Sequence, residues 1–291
     1  MQGKSIPIYD LYKTLDNGQS FDFSRLEESY TPYDSSAPHR HNYYEVLFFK
    51  DGGGVHEIDF NAYEIGASSL HFIAPEQVHL LRREKHVTGF VLSFAGEFVN
   101  NNSGRDFTES LPFFEHPASH PVVKLEENVR EEFTGMLARI QTEFFSDHGD
   151  KEEMLRPLLT AFLITARRLY VPAGHPGKAS PRSDIVRRFK KLADGHFRTN
   201  KSVSDYAEML GITAGHLNDT VQKDTGKTAS EIIHERIILE AKRLLYHSPK
   251  SVKEIAYELN YEDPSHFTRF FKTHSEFTPE QFRNHIRNKY H

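Results

Sequence analysis

One pattern of helix starts and corners occurs twice in about the last hundred residues, and it constrains this chain more than any other feature. The clearer copy, SVKEIAYELNYEDPSHFTRFFKTHSEFTPEQFR, runs from Ser251 to Arg283. Ser251 and Glu254 have the spacing of a capping box, in which each side chain satisfies the other's free backbone N–H. Ile255, Ala256 and Leu259 then form the apolar face of a short helix. Asn260 suits a left-handed corner, because Asn tolerates positive φ better than most residues. Asp263-Pro264 opens a second helix, with Asp as N-cap and Pro at the first helical position. On it, Phe267 and Phe271 bury one side. Ser265, Thr268, Arg269 and Lys272 fall at i, i+3, i+4 and i+7, so they form a polar, basic stripe. Thr278-Pro279-Glu280-Gln281 starts a further helix that carries Phe282.

The earlier copy, SVSDYAEMLGITAGHLNDTVQKDTGKTASEII, runs from Ser202 to Ile233. Ser202 and Asp205 repeat the capping box, Ala207 matches Ala256, and Gly211 matches Asn260. After a turn one residue shorter, Leu217 and Val221 match Phe267 and Phe271, and Thr228 and Glu231 match Thr278 and Gln281. An internal repeat outweighs a single motif. It predicts two helix-turn-helix units, at about 202–226 and 251–276. Between them Ala229 to His247 reads as one helix, with Ile232, Ile233, Ile237, Leu244 and Leu245 on its apolar side. At ~1.5 Å per residue it spans nearly 30 Å, close to one turn of B-DNA. Two reading helices so spaced could enter successive major grooves of double-stranded DNA.

The candidate contacts follow from side-chain chemistry. Arg269 can pair bidentately with guanine or clamp a phosphate, beside Ser265, Thr268 and Lys272. The matching stripe of the first copy is Gly215, Asn218, Asp219 and Gln222. There Asn218 and Gln222 suit adenine, Asp219 can accept from the cytosine amino group, and Gly215 allows close approach. His216 and Lys223 could hold the backbone. The opposing reading is that this first helix lies off the DNA with Asp219 facing solvent.

Charge agrees with that placement. The chain of 291 residues carries a formal charge of −5, but residues 1–179 contribute −9 and residues 180–291 contribute +4. The basic excess lies with the repeat, and it is small enough to require well-placed contacts and dimerisation. There are no cysteines, which suits a reducing cytoplasm. No stretch approaches 18 apolar residues and the start has no apolar signal core, so neither export nor a membrane span is expected.

From about Ser29 to Phe98 the runs YYEVLFF, GVHEIDF, SLHFIAP and TGFVLSF alternate with turn residues, which predicts a β-sandwich or small barrel. From Glu126 to about His148, Val129, Phe133, Met136, Leu137, Ile140 and Phe144 mark one face of a helix. The next helix, to Tyr170, carries Met154, Leu155, Leu158, Leu159, Phe162, Leu163 and Ile164 on more than one face. Such a helix is either deep in its own domain or half of a dimer interface. VPAGHPGKASPRSD then reads as a linker, before a helix that begins near Ser183 with Ile185, Val186, Phe189 and Leu192.

The segment Lys242 to Arg283, with KRLL, EIA-x-EL-x-Y, SHFTRFFK and TPEQFR, resembles the signature of the AraC/XylS-type transcription regulators. In the N-terminal half, His39-Arg-His41, Glu45, Gly52 and Pro75 to His79 resemble the two cupin motifs. The resemblance implies a two-domain α+β protein. Residues 1–172 would form a cupin-like jelly-roll β-barrel with two following helices, for effector binding and dimerisation. Residues 173–182 would be the linker, and 183–291 an all-α, homeodomain-like double helix-turn-helix domain. It further implies a ligand-responsive activator rather than an enzyme. The expected partners are promoter DNA, a small-molecule effector, RNA polymerase and a second copy of the chain. His39, His41, Glu45 and His79 are suitable ligand types for a divalent ion. They equally suit hydrogen bonding at a barrel mouth, and the reading taken is effector contact with no metal or cofactor. The alternative is a metal-dependent cupin enzyme fused to a DNA-binding domain.

Overall fold

A computed structural model of the chain describes residues 7–11, 20–27, 37–100, 107–114, 120–170 and 181–290. These divide into two compact units, the first ending at Tyr170 and the second beginning at Pro181. Most of the expected linker, 173–180, lies outside the described residues; its last two positions, Pro181 and Arg182, already belong to a helix.

The N-terminal unit is a β-sandwich backed by helices. Its strands are β1 (Ile8–Tyr9), β2 (Phe21–Arg25), β3 (Arg40–His41), β4 (Tyr44–Phe49), β5 (Gly54–Ile58), β6 (Asn61–Glu64), β7 (Ser69–Ile73), β8 (His79–Arg83), β9 (Gly89–Phe94) and β10 (Val122–Lys124). A five-stranded antiparallel sheet runs β10-β7-β4-β9-β2, and a three-stranded sheet runs β6-β5-β8. The short β1 and β3 pair in parallel. The ladders among the described residues form open sheets, not one closed barrel. The tight β5–β6 turn holds Asp59 and Phe60 at positive φ. Asp59 is pinned there because its carboxylate accepts from Gln77 Nε2 at 3.0 Å and from Val78 N at 3.3 Å.

Strand periodicity sorts the side chains onto two buried faces. Val46, Phe48, Leu70, Phe72, Leu92 and Phe94 pack against the helices α2 (Glu127–Phe144) and α3 (Lys151–Leu169), through Phe133, Leu137, Ile140, Leu159, Phe162 and Leu163. Leu47, Phe49 and Ile73 face the other way, onto Ile58 and Ile65. The short α1 (Gly96–Val99) adds Phe98 and Val99 to the first face. Leu159 and Leu163 are therefore fully buried in their own unit at 0% exposure. The dimer expectation placed on them meets its alternative here: these leucines are intradomain core. What the pair leaves outside is Met154 and Phe145, 43% and 66% exposed.

The C-terminal unit is all helical: α4 (Pro181–His196), α5 (Val203–Leu210), α6 (Ala214–Thr225), α7 (Ala229–His247), α8 (Val252–Glu258), α9 (Pro264–His274) and α10 (Pro279–Tyr290). The expected capping boxes are formed at Ser202/Asp205, Thr228/Glu231 and Ser251/Glu254. Gly211 and Asn260 take the left-handed corners at φ 69° and 55°. α4, α5 and α6 pack together on one part of α7, while α8, α9 and α10 pack on the rest of it. Ile232, Ile233, Ile237 and Leu245 are buried as the spine of this arrangement. Leu244, expected among them, is only half-buried.

Candidate functional site

The second helix-turn-helix presents α9. Asp263 accepts from Ser265 N at 2.8 Å, Pro264 takes the first helical position, and Phe267 and Phe271 anchor the buried side. Ser265, Arg269 and Lys272 are exposed and Thr268 is half-buried. The hydroxyls of Ser265 and Thr268 donate within their own helix start, to Asp263 Oδ2 at 2.7 Å and to Pro264 O at 2.9 Å. Neither Arg269 nor Lys272 forms an ion pair among the described residues. Both cations are thus directed outward from α9.

On α6, Gly215, His216, Asp219, Gln222 and Lys223 are exposed, and Leu217 and Val221 are buried. Asn218 differs from expectation. Its Oδ1 accepts from Ala229 N at 3.1 Å, so it satisfies a free N–H at the start of α7. An amide so used has lost the acceptor that bidentate adenine pairing needs. Of the two adenine candidates, Gln222 alone keeps its whole amide outward.

Lys201 was not anticipated as a structural bridge. Its Nζ donates to Asn260 O at 2.6 Å and sits 3.4 Å from the centre of the Tyr261 ring. The residue before the first capping box thereby holds the corner of the second motif.

The N-terminal unit gathers its polar groups between the two sheets. His41 Nε2 and His79 Nε2 each lie 3.9 Å from Glu45 Oε2, and the three donor atoms fall within 4.8 Å of one another. His39 stands outside that trio, its ring centre 4.2 Å from that of His79. Two further histidines join, which the sequence reading missed. His56 Nε2 lies 3.1 Å from His79 Nδ1, and His56 Nδ1 lies 3.1 Å from His71 Nδ1. Strand parity was the available signal: His56 shares a face with Ile58, and His71 with Ile73. Burial sets the protonation. It pushes His41 and His71 down to about 3, aided by His39 near His41 and by His120 near His71. It holds His56 and His79 well below the usual imidazole range, and it raises Glu45 to about 8 against the opposing bond from Ser93. These imidazoles are neutral, so each offers a lone pair.

The donor set fits a divalent cation. His41 Nδ1 lies 2.7 Å from Tyr43 O and must donate there, which leaves Nε2 a bare lone pair. His41 Nε2 and His79 Nε2 are buried without a hydrogen-bond partner among the described residues. Two donors on one ion with bonds of ~2.1 Å can be at most ~4.2 Å apart, so closing on an ion needs shifts of about half an ångström.

Comparison with known proteins agrees with both halves. A family described as an AraC-like ligand binding domain matches residues 20–158, and one described as a helix-turn-helix domain matches residues 206–285. The chain is a DNA-binding transcription regulator with a ligand-binding domain. The two matched domains together make up the AraC-type combination of a ligand-binding domain and a helix-turn-helix domain. The HTH-type transcriptional activator RhaR of Enterobacter sp. (strain 638) is 21% identical over 256 residues, covering 88% of this chain and 90% of that protein. RhaS of Klebsiella pneumoniae (strain 342) is 21% identical over 254 residues, covering 87% and 89%. Among solved structures, ToxT from Vibrio cholerae O395 is 15% identical over 91% of this chain and 97% of that one, at a TM-score of 0.42. The relatives are regulators, which sets aside the fused cupin enzyme.

Proposed function

We propose that this chain is a ligand-responsive activator that binds promoter DNA as a dimer in the cytoplasm and engages RNA polymerase there. The observation that carries the DNA half is the exposed Arg269–Lys272 pair on a helix braced by Phe267 and Phe271. On this reading α9 supplies most of the affinity and Gln222 and Asp219 of α6 supply discrimination. Gly215, His216 and Lys223 allow and hold close approach to the backbone, and Asn218 braces α6 from behind. The effector sits at His39, His41, Glu45 and His79, where the buried Nε2 atoms of His41 and His79 lie without a hydrogen-bond partner beside Glu45. Domain boundaries at 172 and 183 follow from the linker composition. The dimer uses the outer faces of α2 and α3, where Met154 and Phe145 remain exposed. Both relatives named above are called activators, which supports that sign of regulation.

An effector changes DNA binding only by favouring one arrangement of the protein over another. The deciding experiment maps the sites bound by the full chain in its own genome and then titrates one such site by fluorescence anisotropy. Binding to that site at least about a thousandfold tighter than to random DNA, at one salt concentration, is the expected result. Equal affinity for both would overturn the reading.

A further inference from the structure

The two helix-turn-helix copies differ at most positions, so the six identities between 202–228 and 251–278 are informative. Two of them are helix caps: Ser202 and Ser251 accept from Asp205 N and Glu254 N, and Thr228 and Thr278 from Glu231 N and Gln281 N. Three more serve packing, since Val203 and Val252, Ala207 and Ala256, and Leu210 and Leu259 are all partly or fully buried. The sixth pair is His216 and His266. Both are exposed, and neither ring forms a hydrogen bond, an ion pair or a ring contact among the described residues. Their backbone N–H groups are already used, donating to Thr213 Oγ1 at 3.2 Å and to Asp263 O at 3.0 Å. Neither capping nor packing within the unit therefore accounts for a histidine at this point.

Each of these histidines is the third residue of a reading helix, three positions before Asp219 on α6 and Arg269 on α9. Each thus stands one turn from the outward stripe, at the edge of it. The stripes share nothing: Gly215, Asn218, Asp219 and Gln222 on one helix, Ser265, Thr268, Arg269 and Lys272 on the other. Side chains that read bases differ where two half-sites differ, whereas a phosphate is the same group at every step of the duplex. A residue kept unchanged beside two unlike stripes fits the backbone, not the bases.

We propose that His216 and His266 are matched DNA-backbone contacts, one on each reading helix, and that each takes up a proton from solvent when it meets its phosphate. The role rests on the unit being DNA-binding, and it adds His266 and a proton to the contact assigned to His216. Imidazole titrates near neutral pH, and a phosphate anion within hydrogen-bond reach favours its charged form. The bound state then holds more protons than the free one, so affinity is greater at low pH and declines as pH rises. Few charged groups lie near the unbound rings. His216 has Asp219 one turn on and Lys223 two turns on along α6. His266 lies within electrostatic reach of Asp263 in the turn before α9, with Arg269 one turn on. No charged group of another element pairs with either ring among the described residues.

The test titrates the full chain against two labelled duplexes, a mapped operator and a random sequence, over a range of salt at about pH 6 and about pH 8. Wild-type protein should bind both duplexes more tightly at the lower pH. The double variant His216→Gln, His266→Gln should lose most of that gain on both duplexes alike. Its salt slope should fall by about two at the lower pH and stay near wild type at the higher, since each phosphate neutralised contributes about 0.9. Each single variant should show about half of both effects. His234 and His274 titrate in wild type and variants alike, so the difference isolates the two exposed rings. Arginine at both positions keeps a cation at every pH, and that variant should bind at the higher pH about as tightly as wild type does at the lower. A lowered melting temperature in the Gln variants would reveal a packing role and overturn the proposal. So would a loss confined to the operator, which means base reading, or an effect of one histidine alone. Wild-type protein that binds neither duplex refutes the regulator reading as well; protein that binds both, with profiles identical to those of the double Gln variant, refutes this inference alone.

Discussion

Asn218 offers a direct separation of bracing from base reading. Its Oδ1 accepts from Ala229 N at 3.1 Å, and Ala229 is fully buried at the start of α7. Asn218→Ala removes the acceptor and leaves that N–H without a partner, which costs about 1–3 kcal/mol. For a domain of this size 1 kcal/mol lowers the melting temperature by roughly 4–8 °C. Asn218→Asp is the control. Its carboxylate still accepts, and a negative charge at a helix N-terminus contributes about 0.3–1 kcal/mol of its own. If Asn218 braces α6 on α7, the Ala variant melts lower and binds operator and random DNA with a nearly unchanged ratio, while the Asp variant restores the melting temperature. Thermal melts and anisotropy titrations at one salt concentration measure both quantities. An Ala variant with wild-type stability and a lost operator preference would refute the bracing argument and return Asn218 to the base-reading set.

Four further variants have outcomes that the structure fixes. Leu159→Glu should abolish folding of the N-terminal unit, because it buries an unpaired carboxylate in a fully enclosed core; Met154→Glu should leave a folded chain whose light-scattering mass falls to that of a monomer, and an unchanged mass would remove the α2–α3 face from the dimer. Arg269→Ala should cost about 1–3 kcal/mol at the operator alone if it reads a base, or weaken all DNA and reduce the salt slope by about one if it holds a phosphate; no loss on either DNA would strike it from the contacts. His234 of α7 packs edge-on against Phe270 and His274 of α9, with Ser230 at 3.4 Å. Burial and then His274 lower its pKa below the ordinary imidazole value, with Glu231 opposing. The unfolded chain therefore binds the proton first, so stability falls as pH drops below about 6.5, and melts of His234→Gln should show a flatter decline.

The C-terminal unit was legible because its determinants are local. A cap, a left-handed corner and an i, i+4 aromatic pair each act within one turn of helix, so spacing alone fixes them. Asn218 escaped because its partner, Ala229, belongs to the next helix; the stripe on which it falls looks the same whether its amide faces outward or backward. The same limit left the reading of Leu159 and Leu163 open between core and interface. Apolar residues on several faces of a helix show that it is enclosed, not by what, and here a sheet buried on both faces supplies the enclosure. His39, His41, Glu45 and His79 were found by motif spacing, whereas His56 and His71 sit on strands with no motif around them. Only the pairing of β5 with β8, and of β7 with β4, brings them into line with His79.

The packing also limits where regulation can act. α7 carries both halves of the C-terminal unit, Arg236 and Arg198 tie it to α4 through Asp194 and to the loop after α4 through Glu240, and Lys201 holds the corner at Asn260. Arg283 of α10 donates to Leu245 O at 2.9 Å and to Lys250 O at 2.6 Å, closing the opposite end. These bonds tie α7 to both motifs, so we expect an effector to act on how the unit is presented to DNA and not on the separation of α6 from α9; operator half-site spacing should then be the same with and without ligand.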